Sequence, residues 1–122
     1  MLRVNAAGRL AIGLVLVLAP EWMARRWIGR DGDRRSVTVF ARAIGARDVA
    51  LAVGALAALS GDGRLARTWA LGALVADATD AVATALARDS LPPRAASASI
   101  AVAAGAALQD AYAAVRLPRN SA

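Results

Sequence analysis

The sequence predicts an all-α fold, a four-transmembrane-helix up-down bundle with Ala/Gly-rich packing. Three observations lead there. Polar punctuation cuts the 122 residues into four apolar segments, each close to the roughly 20 residues a helix needs to cross a bilayer. Alanine, the strongest intrinsic helix former, supplies 34 residues. No segment shows the clean polar face of 3.6-residue period that a soluble surface helix carries.

The first helix is expected over about 2–19, around the solid apolar run Leu10–Ala19, with Pro20 and Glu21 closing it. A loop follows, dense in charge and turn formers from Arg25 to Arg35. The second helix covers about 37–59. Ser60-Gly61-Asp62-Gly63 is a turn by composition, since Gly and Asp tolerate positive φ. The third helix covers about 65–87 and ends before Arg88-Asp89-Ser90-Leu91-Pro92-Pro93-Arg94, where consecutive prolines remove donors and disfavour helix before them. The fourth covers about 95–117 and stops at Pro118. Short connections between antiparallel neighbours suit one bundle, a single integral membrane domain over 1–122.

Two alternatives are weaker. Arg3 and Arg9 ahead of an apolar run resemble a signal peptide, but Ala19-Pro20 is a poor cleavage site. A soluble four-helix protein is the other, because alanine is only weakly apolar.

Composition excludes several functions. There is no Cys and no His, hence no disulfide framework, zinc finger, haem ligation or Ser–His dyad. No cofactor and no metal is expected. Aromatics are 4% of the chain, too few for a base-stacking platform, so nucleic acid is not an expected partner. The basic side chains are all Arg, 15 against 9 acidic residues, for a formal charge of +6. Arg25, Arg26, Arg30, Arg34 and Arg35 suit a headgroup layer and attract anionic lipid. Trp22 and Trp27 fit one interfacial belt and Trp69 the opposite one. The first loop side carries slightly more Arg than the termini side, so the positive-inside rule places the first loop in the cytoplasm and both termini outside, in a multi-pass protein of the cell (inner) membrane.

Charges inside the apolar segments are the informative residues: Arg9, Arg42, Arg47, Asp48, Asp77, Asp80 and Asp110. Each costs about 2.5–3.5 kcal/mol near a helix centre, so each needs a partner or water within the bundle. At about 1.5 Å rise per residue, opposite charges fall at matching depths: Arg42 with Asp80, Arg47 with Asp77, and Arg9 with Asp110. Asp48 completes the centre, and Gln109 adds a polar group beside Asp110. Asp77 and Asp80 are three apart and share a face. Arg47 and Asp48 are adjacent, point about 100° apart and cannot both face one neighbour. Arg42, Arg47, Asp48, Asp77 and Asp80 form the expected polar network, with Arg9, Gln109 and Asp110 as a secondary one. Gly13, Gly45, Gly54, Gly72 and Gly105 are small sites where helices can approach closely.

The stretch from Arg42 to Gly54 carries Arg42-x-x-Gly45-x-Arg47-Asp48. It resembles the Arg-x-x-Gly-x-Arg-Asp signature of small bacterial four-helix membrane proteins of unknown function, broadly the DoxX-like group. Gly8–Gly13, Ala19-Pro20-Glu21 and Ala76–Asp80 resemble the same group. About thirty residues carry the likeness, and Ala52 stands where the group often has Gly. The resemblance implies the fold and the membrane location and no settled activity.

Three functions follow as expectations. The bundle binds an amphipathic small molecule or lipid at its Arg/Asp network, or docks as an accessory subunit to a larger membrane partner or a second copy. Alternatively it is a membrane enzyme of isomerase or cyclase type, with Asp as general acid or base on a lipophilic substrate. A third possibility is proton or ion transfer along the Asp/Arg line. A purely structural ion-pair network is the bland account of the same residues.

Overall fold

A computed structural model describes residues 1–61 and 63–118. Asp62 of the expected turn and Arg119 lie outside the described residues. The described chain is all helical, with no strand. Helix α1 spans Leu2–Leu18, α2 Pro20–Ile28, α3 Arg35–Ala58, α4 Gly63–Leu86 and α5 Pro93–Arg116. Short 3-10 turns at Gly29–Asp33 and Arg88–Ser90 complete the connections.

The four expected helices correspond to α1, α3, α4 and α5, with ends displaced by one or two residues. α3, α4 and α5 each begin two residues early, and at α5 this brings Pro93 into the helix instead of the break. A proline is tolerated at the first helical position, where its missing N–H costs nothing and its φ is already helical.

The segment after Pro20 corrects the sequence expectation. It is helix α2, not a loop, and α1 and the stretch Pro20–Asp33 bend by 106°. Pro20 opens α2, Glu21 lies in its first turn, and Arg25 and Arg26 lie in its last. That order matches the helix dipole. Pro20 and Ala24 are buried, and Met23, Trp27 and Ile28 are half-buried, giving one apolar face at helical spacing. The density of Arg and Asp in this stretch obscures that period.

Packing runs α1 on α3, α3 on α4 and α4 on α5, with a lighter contact of α1 on α5. The paired residues show the contacts of α1 with α3 and of α3 with α4 to be antiparallel. Gly13 meets Gly45 while Arg42 reaches Val17, and Gly54 meets Trp69 while Arg47 reaches Asp80. Arg67 donates to the Ala114 carbonyl at 2.8 Å across α4 and α5.

The interior is inverted relative to a water-soluble bundle. Among the described residues, alanines make up the buried hydrophobic set, with Leu16 as the exception. Large apolar side chains face outward: Ile12, Phe40, Val53, Val75, Val82, Leu86, Val102 and Leu108 are all exposed. Arg9, Asp48, Asp77 and Asp110 are buried instead. Among the described residues α4 and α5 are long and apolar enough to cross a membrane; α1 qualifies when taken together with its bent continuation. The charges Arg42, Arg47 and Asp48 lower the hydropathy of α3.

Close approach explains the crossing of α1 and α3. A Cβ on Gly13 would lie 2.8 Å from the Gly45 carbonyl oxygen, and one on Gly45 2.7 Å from that of Gly13. Gly54 receives the Trp69 indole in the same way. Trp69 is therefore a half-buried packing residue between α3 and α4. Gly72 makes ordinary contact with Leu51, and nothing lies near Gly105.

Candidate functional site

The charges inside the helices form one connected string, buried at Arg9, Asp48, Asp77 and Asp110 and half-buried at Arg47 and Asp80. Arg9 on α1 donates to Asp48 on α3 at 3.2 Å, to Asp110 on α5 at 3.2 Å, and to Asp77 on α4. Asp48 Oδ1 also accepts from Arg47 at 3.0 Å. Arg47 then grips both oxygens of Asp80, at 3.1 and 2.6 Å. At the other end Asn5 donates to Asp110 Oδ1 at 2.7 Å. Each of the four long helices contributes a charge. Planar guanidinium groups suit this role because their five N–H donors reach several carboxylates at once.

Three of the depth assignments are corrected or refined by this geometry. Arg9 does reach Asp110. Arg47 pairs with Asp80, not Asp77, and Asp77 pairs with Arg9. Arg42 does not pair with Asp80; its side chain is exposed, and its Nε faces the Val17 carbonyl at 3.4 Å. The cause is the direction of helical side chains, which lean toward the N-terminus of their own helix. Arg47 on α3 leans toward the α2 end, where Asp80 lies. Arg9 and Asp77 lean toward the end with the chain termini and meet there. Depth measured at Cα is therefore wrong by about a turn for long side chains. Arg47 and Asp48, expected to face different neighbours, join one network because the Arg47 side chain folds back onto Asp48.

Asn5 is absent from the expected network. It stands four residues before Arg9, hence on the same face of α1, and that spacing was the available signal. Gln109 is half-buried and makes no hydrogen bond to another described residue; it lines a cavity.

That cavity is a cleft of about 720 Å³ between α1 and α5. The two helices touch at Asn5 and Asp110 and leave room toward α2, whose Met23, Arg26 and Trp27 line the end of the cleft. Its walls are apolar, with Ile12 and Leu16 on one side and Ala98, Val102 and Gly105 on the other. Its floor is polar: Arg9, Asp48, Asp77, Asp80 and Thr84.

No family model, curated protein or solved structure matches the chain.

Chemically, the site offers carboxylates held by guanidinium groups beside an apolar volume. Among the described residues no group of His, Cys, Asp and Glu is arranged to hold a metal ion. Arg26, at the α2 end, stacks over Trp22 at 4.4 Å. Elsewhere on that connection Arg25 pairs with Asp33 at 2.7 Å and Arg34 with Asp31 at 3.2 Å, both exposed. Exposed pairs of this kind contribute about 0–1 kcal/mol.

Proposed function

We propose that this chain is a multi-pass membrane protein whose cleft between α1 and α5 binds an amphipathic molecule. In this reading α1, α3, α4 and α5 cross the bilayer as an up-down bundle, and α2 lies along the interface with Trp22 and Arg26 at the headgroups. The inner membrane, with α2 on the cytoplasmic side and anionic lipid around it, is part of the same proposal. So is kinship with the DoxX-like group, which rests on the Arg42–Asp48 stretch.

The inverted interior supports the membrane placement. A surface of Phe40, Val53, Val75 and Val82 around buried ions is favourable in lipid and unfavourable in water. One observation carries the binding function: a cleft with apolar walls whose floor is the Arg/Asp network. An apolar volume with a few convergent polar groups is the usual form of a small-molecule site, and about 300–1,000 Å³ is the usual size. A proton relay has less support, because Arg9 and Arg47 interrupt the string and stay charged.

The test is native mass spectrometry of the full chain extracted from membranes into mild detergent. A co-purifying amphiphile is expected on the wild type and lost in Gly105→Phe, a substitution with room for its Cβ that fills the cleft. An adduct unchanged by Gly105→Phe, or none on either protein, would overturn the reading.

A further inference from the structure

We infer that the amphiphile in this cleft has a cationic head bearing N–H donors, of the alkylammonium class, seated against Asp48 and Asp77. The inference rests on the proposed binding cleft and specifies its occupant.

Charge is the first argument. The string contains four carboxylates, Asp48, Asp77, Asp80 and Asp110, and two guanidinium groups, Arg9 and Arg47; of these Asp80 and Arg47 are half-buried and the others buried. Arg42, which would reduce the imbalance, is exposed and directed at a backbone carbonyl. A buried carboxylate without a matching cation is costly in a medium of low dielectric. A cation entering the cleft offsets part of that cost, while an anionic head would add a like charge.

Unused acceptors are the second argument. Asp48 accepts its hydrogen bonds at Oδ1 and Asp77 at Oδ2. Asp48 Oδ2 and Asp77 Oδ1 have no donor among the described residues, although both residues are buried, at 8% and 7% exposure. Thr84, at 7% exposure, likewise has a hydroxyl with no protein partner. Every fully enclosed side-chain N or O among the described residues does have a partner. The free atoms of Asp48, Asp77 and Thr84 therefore reach open space, and the open space these residues line is the cleft. A site lined by unused acceptors selects a donor, and an ammonium group carries three. The hydrocarbon tail then lies along Ile12 and Val102, toward the gap between α1 and α5.

The experiment offers the full chain in non-ionic detergent equal mole fractions of hexadecylamine, hexadecanol, palmitate and hexadecyltrimethylammonium near neutral pH. Bound amphiphile is extracted from the protein peak and quantified. Hexadecylamine is expected at tenfold or more over hexadecanol, above the quaternary ammonium, and with palmitate excluded; all are expected to be lost in Gly105→Phe. Hexadecanol or palmitate binding as well as the amine, and lost in Gly105→Phe, would overturn the cationic head and leave the cleft reading standing, with the excess carboxylates protonated. Quaternary ammonium binding as well as the amine would overturn the donor requirement. Binding of none of the four, or binding insensitive to Gly105→Phe, would overturn both readings.

Discussion

Gly13 and Gly45 meet backbone to backbone, and that contact is what sets Arg9 against Asp48. Arg9 lies four residues before Gly13, and Asp48 three after Gly45, so both stand one turn from the crossing on antiparallel helices. A side chain at either glycine would hold α1 and α3 apart. The Arg-x-x-Gly-x-Arg-Asp stretch thus joins a close helix crossing to an ion pair within two turns.

Gly13→Leu is expected to destabilise the fold by about 1–3 kcal/mol, the usual cost of overpacking. Gly8→Ala is the control: nothing lies near a Cβ there, and helix propensity favours it by roughly 0.5–1 kcal/mol. Thermal unfolding in detergent measures both. A Gly13→Leu protein as stable as wild type would show that the crossing is not tight.

Arg9→Met is expected to be the most damaging single change among the charges. It leaves Asp77 and Asp48 short of a cation and strips Asp110 to its Asn5 bond. Removing one partner of a buried pair costs about 3–5 kcal/mol. Arg9→Lys restores charge without the planar fork and is expected to recover only part of the loss. Yield of monodisperse protein and its melting temperature report the difference; equal behaviour of the two variants would argue against the multidentate role.

Arg42→Ala is expected to change stability by less than about 0.5 kcal/mol, because Arg42 is exposed and outside the ion string. Arg47→Ala is expected to cost more than this and less than Arg9→Met, since Arg47 holds Asp80 through two bonds but is partly exposed. Melting curves of the three variants give the order, and a reversed order would contradict the network.

Asn5→Ala is expected to cost about 1–3 kcal/mol, because it leaves Asp110 Oδ1 without its donor in an enclosed position. The same melts test it; a neutral result would mean that water replaces the amide.

Orientation has its own readout. The chain has no cysteine, so single substitutions report cleanly. On intact cells an impermeant maleimide is expected to label Ser60→Cys, and to label Arg30→Cys only after permeabilisation. The reverse pattern would invert the proposed topology.

Much of the fold is legible in the sequence. The four long helices follow from segment length, alanine content and the prolines at 20, 92 and 118, all local signals. The participation of Arg9, Arg47, Asp48, Asp77, Asp80 and Asp110 follows from their cost inside apolar segments, since an ion there must find a counter-ion. Helix α2 was hidden because its amphipathic period is short and crowded by Arg and Asp.

The partners of those ions were beyond the reach of the sequence. Which carboxylate an arginine meets depends on the direction its side chain leans and on which helix stands within reach, so Arg47 takes Asp80 and Arg9 takes Asp77. Trp69 against Gly54, and Arg42 outside the network, are decided the same way. The cleft is also a product of tertiary structure: α1 and α5 touch at one end and leave room toward the other, a relation between residues more than eighty apart in the chain. Sequence by itself determined that most charges of the apolar segments would come together among alanines, because an ion there needs a counter-ion or water. Tertiary structure decided which charges pair, which oxygens remain free and the volume they face, because those depend on distances between helices that no local pattern encodes.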